Sequence, residues 1–183
     1  MAKNVYVYHG SPNNFDEFNL DFIGSESGTS GAGPGIYFSE SEAEAFSYGE
    51  NMFECVLKLN NRISNDEITF NQKFVYDLLK YMYETTEENF FENYSLQYFP
   101  GLNRANNILD KVFESCKSDT EIIGMLMNTG FSIKIMFEYL INLGYDHTVD
   151  KHETFGPVGT LHYIVYNVDS ISIINKYTLD TRN

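Results

Sequence analysis

The sequence predicts an α+β fold in which the two ends of the chain build one sheet and the middle forms a helical insertion. Three observations carry this prediction. The early segments 4-NVYVYHG-10 and 52-MFECVLKLN-60 alternate with the period of two that a half-buried strand requires, and 161-LHYIVYNV-168 reads as a buried strand near the other end. From about residue 71 to 142 the apolar residues fall instead at helical spacing. Pro100-Gly101 and Thr129-Gly130 break that helical run into separate pieces. With 183 residues and 43% hydrophobic content, the chain fits a single compact domain, 1–183, that carries the insertion at about 71–142.

The elements follow in order. A first strand ends at His9-Gly10. The stretch 11-SPNNFDEFNLDFIG-24 then mixes Pro, Asn and Asp with spaced Phe residues, as in an ordered loop packed by aromatics. The next stretch, 24-GSESGTSGAGPG-35, is too Gly-rich for an element and too short for an interdomain linker, which marks it as a functional loop. Residues 35–39 read as a strand. Ser39 and Ser41 offer N-caps for a short helix, with Glu42 and Glu44 at capping-box spacing after them. In the middle, FVYDLLKYMY, NILDKVFESC, TEIIGMLMN and SIKIMFEYLIN are the predicted helices, and Gly144 suits the C-cap of the last. The segment 146-DHTVDKHETFGPVGT-160 reads as a loop, and 171-ISII-174 as a short partner strand.

Charge narrows the function classes. Twelve basic residues against 26 acidic ones give a net charge of −14 and a pI near 4.5. Direct binding to a nucleic-acid backbone needs the opposite sign, so it is not expected. Residues 1–57 hold one basic residue, Lys3, against nine acids, so any phosphate bound there would rely on backbone N–H groups. Cys55 and Cys116 form no CxxC pair and no metal-type spacing with the four histidines; they read as buried thiols of a reducing compartment. The N-terminus has no apolar signal segment, and no apolar run is long enough for a membrane span. A soluble, cytoplasmic protein is expected.

Three separated pieces, 8-YHGS-11, 35-GIYFS-39 and 161-LHYIVYNVDSISI-173, each sit at a strand or strand end, where a mixed sheet can bring them to one cleft. Singly, each has an ordinary explanation: His9 as a turn cap, Tyr37 as a core aromatic, YIVY as a plain strand. In this order they resemble the signature of the poly(ADP-ribose) polymerase and diphtheria-toxin-like ADP-ribosyltransferases, the H-Y-E class. The longer run 8-YHGSPNNFDEFNLDFIGSESGTSGAGPGIYFSES-41 resembles the ADP-ribosyltransferase domains of phage and mobile-element proteins, some of which act against bacterial immune systems.

The resemblance implies an ADP-ribosyltransferase-like split mixed sheet around an NAD cleft, with NAD as substrate. By position, His9 is implied to hydrogen-bond a ribose hydroxyl, and Gly10 to pair its backbone with the nicotinamide carboxamide. Tyr37 is implied to pack beside the nicotinamide and Tyr48 to stack on it. Ser11 falls where a hydroxyl reaches ribose, and Ile23 and Gly24 match, more loosely, a loop over the adenosine. The chemistry is coherent, because breaking the nicotinamide–ribose bond builds oxocarbenium character on the sugar, and fixed dipoles and a nearby anion stabilise it.

The third position departs from the pattern. The family's glutamate before Tyr-Ile-Val-Tyr is His162 here, and Ala45 replaces a serine that contacts the carboxamide. Some phage-type relatives place an acid in the preceding loop, which makes Glu153 the first candidate and Asp150 the next. His147 and His152 lie near the same loop without a helical HExxH frame, so no metal site is expected.

The leading expectation is a mono-ADP-ribosyltransferase that modifies a partner macromolecule, as an anti-defence factor of a phage or mobile element. The acidic surface suggests a basic partner such as a nucleic-acid-binding protein. The alternatives are an NAD glycohydrolase, or a non-catalytic acidic module of the same fold that blocks a basic partner. Residues 71–142 are the natural region for target recognition.

Overall fold

The computed structural model describes residues 3–20, 35–85, 105–127, 133–151 and 160–179. The chain divides into two compact units: Met1–Ile63 with Gly144–Asn183, and Ser64–Leu143.

The first unit is a seven-stranded mixed sheet. Its strands are β1 (Lys3–Ser11), β2 (Ile36–Ser39), β3 (Asn51–Leu59), β4 (Asn61–Ile63), β5 (Tyr145–Lys151), β6 (Leu161–Val165) and β7 (Ile171–Thr178), in the order β4-β5-β6-β2-β1-β3-β7. The β4–β5 pair is parallel, and every other pair is antiparallel. β1 and β3 pair without a break from Lys3↔Leu59 to Ser11↔Asn51. β1 and β2, in contrast, share one registered pair, Tyr8↔Ser39, so the sheet is pinched there into two halves.

Side chains directly opposite each other in such pairs project to one face, and neighbours along a strand alternate. One face is the core: Val5, Val7, Phe38, Phe53, Cys55, Leu57, Tyr163 and Val165 form a buried cluster, with Phe15, Phe18 and Leu20 packed against it. The burial of Cys55 and the nearby charge of Glu54 push its thiol up to about 12, so it is an inert core residue. The opposite face carries a row running Asp150, His162, Ser39, Tyr8 and Glu54 across five strands.

A short helix, α1 (Glu42–Phe46), lies on that second face. Ser41 is its N-cap, its hydroxyl accepting from Glu44 N at 3.4 Å. The helix sits directly over Gly10: a Cβ there would come 1.8 Å from the Ala45 carbonyl oxygen. Only a residue without a side chain lets β1 and α1 approach so closely.

The second unit holds α2 (Gln72–Thr85), α3 (Ala105–Ser115), α4 (Asp119–Met127) and α5 (Ile133–Asn142). Their buried residues fall at helical spacing: Val75, Leu78, Leu79 and Met82 on α2, Ile122, Ile123 and Leu126 on α4, and Met136, Phe137 and Leu140 on α5. Asp119 is fully buried and accepts from the backbone N–H groups of Thr69 and Phe70 at 2.8 and 2.9 Å, tying the approach to α2 onto the start of α4. No helix among the described residues is long and apolar enough to cross a membrane.

Two segments differ from the sequence reading. Tyr145–Lys151, read as part of a loop from Asp146, is strand β5, and the short ISII partner extends to Thr178 as β7. In β5 the polar residues are carried by partners: Asp146 accepts from Asn60 N at 2.7 Å and lies 2.7 Å from His147 Nδ1, and the Thr148 hydroxyl donates to Ile63 O. Alternation of hydrophobicity is therefore weak in a strand that is nevertheless largely buried.

Candidate active site

The candidate site lies where β1 and β2 part. Beyond Tyr8, β1 keeps β3 on one side, and toward β2 the ladder gives way to a side chain. His9 Nδ1 lies 2.7 Å from the carbonyl oxygen of Tyr37, so that nitrogen carries the proton and donates it. The imidazole is enclosed by rings, with Phe18 at 5.0 Å, Phe38 at 5.6 Å, Phe53 at 5.9 Å and Phe15 at 6.1 Å between centroids. Burial lowers its pKa from the ordinary histidine value, and the bond to Tyr37 only partly opposes this. At neutral pH His9 is a neutral imidazole with Nε2 as its acceptor.

Tyr37, Ser39, His162 and Asp150 lie on the other face, under and beside α1. Tyr37 is directly opposite Ile164, and Ser39 opposite His162, which in turn faces Asp150 on β5. The sheet thus gathers Tyr37, His162 and Asp150 on one face, and joins His9 to them through the Tyr37 backbone rather than ring to ring. Gly10 lies beneath α1. The Ser11 hydroxyl accepts from Asn13 N at 3.1 Å, closing the turn after β1. Tyr48 follows the end of α1 and is 56% exposed. Ile23, Gly24 and Glu153 lie outside the described residues.

One residue of this cluster has no counterpart in the sequence reading. Glu44, there only an acid at capping-box spacing, turns its carboxylate inward. Its Oε2 accepts from Ser39 Oγ at 2.7 Å, and its Oε1 stands 2.6 Å from His162 Nε2 in a short contact along which the ring N–H is poorly aligned. The two side chains are 0% and 4% exposed. Burial, with a contribution from the nearby Glu44 carboxylate, raises the Tyr48 phenol above its ordinary pKa. Burial, with a contribution from Tyr37, also raises Tyr166, at the end of β6. The available sequence signal was an acid set between two small residues, Ala43 and Ala45, on a short helix. Among the described residues, no group of three or more His, Cys, Asp or Glu is placed to hold a metal ion.

A seven-stranded mixed sheet with a helical insertion, pinched at a His-Gly strand end facing an Ile-Tyr-Phe strand, has the α+β architecture of an ADP-ribosyltransferase. The model of one family, described as ADP-ribosyltransferase in polyvalent proteins, matches residues 3–169, and the chain belongs to that family. No curated protein matches the chain. Among solved structures it is similar to one titled "Crystal structure of an anti-CRISPR protein", at 19% identity and a TM-score of 0.39, over 95% of this chain and 96% of that one.

Proposed function

We propose that the chain is a mono-ADP-ribosyltransferase that takes NAD as substrate and modifies a partner macromolecule. The observation that carries this is the family match over residues 3–169, which spans every strand from β1 to β6 and both tyrosines of the proposed nicotinamide clamp. His9, neutral and fixed by the Tyr37 carbonyl, offers Nε2 to accept a ribose hydroxyl. Gly10 and Ser11, at the edge where the ladder with β2 stops, present backbone groups to the carboxamide and a hydroxyl to the ribose. Tyr37 and Tyr48 hold the nicotinamide ring.

In the reaction the bond from ribose C1′ to the nicotinamide nitrogen breaks, and its electron pair leaves with neutral nicotinamide. A bond from C1′ to the acceptor atom forms, and the acceptor's proton passes to solvent. Orientation of NAD and stabilisation of positive charge on the ribose are what the protein supplies. The net charge of −14 favours a basic target, such as a nucleic-acid-binding protein, and the helices of the second unit are the surface proposed to recognise it. An anti-defence role and a single, non-elongated ADP-ribose rest on the sequence resemblance.

The test is incubation of the purified protein with NAD and a lysate, followed by mass spectrometry. An ADP-ribose mass shift on a basic protein is the expected result, lost on His9→Ala. Release of free ADP-ribose and nicotinamide without protein adducts would make the protein a glycohydrolase. Neither product, together with inhibition of a target that survives His9→Ala, would make it a blocking module.

A further inference from the structure

The reaction proposed above needs a fixed negative charge beside the ribose, and β6 offers a histidine, His162, where such a charge would stand. We propose that Glu44 supplies it: the carboxylate is delivered from helix α1, through contact with His162, instead of from strand β6. This inference rests on the ADP-ribosyltransferase reading of the same site.

The geometry is specific. Glu44 is fully enclosed: Oε2 accepts from Ser39 Oγ at 2.7 Å, and Oε1 lies 2.6 Å from His162 Nε2. Ser39 is itself fixed, its hydroxyl oxygen accepting from Ser41 N at 3.0 Å. The three side chains come from β2, α1 and β6, the elements that carry or adjoin Tyr37 and Tyr48. A surface glutamate at the third position of so short a helix would keep its charge in water. Here the surroundings exclude water and leave the charge poorly screened. Burial, with a smaller contribution from this carboxylate, raises the Tyr48 phenol at the edge of the site.

The competing carboxylate on this face is Asp150, directly across from His162 but half-buried, so solvent screens it more effectively. Burying a glutamate only to cap a five-residue helix is costly, and Ser41 already caps it. Glu44 is therefore a positioning residue: its carboxylate stands beside His162 and sets the field where β6 borders the site, so the charge, more than the ring, is what the reaction uses.

The experiment moves the charge and reads kcat and KM for NAD separately, with thermal stability alongside. In E44Q the side chain keeps its shape and loses its charge. The expected result is a kcat reduced about 100-fold, on the scale of losing one electrostatic stabiliser, with KM within about threefold of wild type. H162Q, which keeps the Glu44 charge, stays within about tenfold in kcat, and D150N within about threefold. The double variant E44Q/H162E carries the charge on β6 and recovers at least about tenfold over E44Q. Should E44Q fold poorly, H162Q compared with E44Q/H162Q isolates the same charge.

A folded E44Q with wild-type kcat overturns the inference. So does a loss of kcat that merely follows a loss of stability, or a folded double variant that recovers nothing. In each of those cases the wild type still consumes NAD and the functional reading stands. A folded wild type that neither labels protein nor hydrolyses NAD fails that reading first, and the inference falls with it.

Discussion

At the residue scale, His9 and Glu44 show how differently two polar side chains are buried on opposite faces of one sheet. His9 is held neutral because its ring lies among phenylalanines, and desolvation disfavours the imidazolium. A histidine whose folded-state pKa is below its unfolded value stabilises the fold fully above the unfolded value, near 6.5. That contribution is lost as pH falls from there toward the folded value, because the unfolded chain takes up the proton first. The melting temperature of the wild type should therefore drop between pH 7.5 and 5.5 more steeply than that of His9→Phe. Parallel curves for the two proteins would show that His9 is not the group responsible. His9 and Tyr37 could be singled out in the sequence as candidates because they sit inside short motifs whose neighbours are informative. Glu44 could not, because its contact with both Ser39 and His162 depends on the register Ser39↔His162, a pairing of segments far apart in the chain. Capping-box spacing predicted a helix start correctly, and the same spacing concealed where the carboxylate goes.

At the scale of elements, the best-read parts are those with strong periodicity. Among the described residues, the helices of the insertion lie where apolar spacing puts them, and β1 and β3 follow their alternation. β5 escaped notice because Asp146, His147 and Thr148 are buried polar residues whose partners, Asn60 and the Ile63 carbonyl among them, become visible only once the strands are laid side by side. That α1 packs on β1 in particular was likewise hidden, although the residue beneath it was not: Gly10 was read for its backbone, and packing adds a second requirement. In Gly10→Ala the new methyl meets a backbone carbonyl, which cannot rotate away as a side-chain tip could. Destabilisation of about 3 kcal/mol is expected, at the upper end of overpacking costs, measurable by urea unfolding. A cost below about 0.5 kcal/mol would mean that α1 lifts off β1 freely.

For the whole molecule, composition spoke to partners more than to architecture. The excess of acids is spread over both units, and nothing in composition forecasts that Ser64–Leu143 packs as a unit of its own. Nor could it forecast the seam in the sheet, which depends on β1 and β2 sharing only Tyr8↔Ser39 before a histidine ring takes over the bridging. This seam has a consequence for the exchange of backbone amide protons with solvent deuterium. In β1 the N–H groups point alternately to β3, where the ladder runs the full length of the strand, and toward β2, where it stops. Amides of residues 9–11 that point to β2 should exchange orders of magnitude faster than their neighbours that point to β3, and saturating NAD should slow the fast set alone. Uniformly slow exchange along Lys3–Ser11 without NAD would contradict this. That pattern would record, amide by amide, where the hydrogen-bond ladder between β1 and β2 stops.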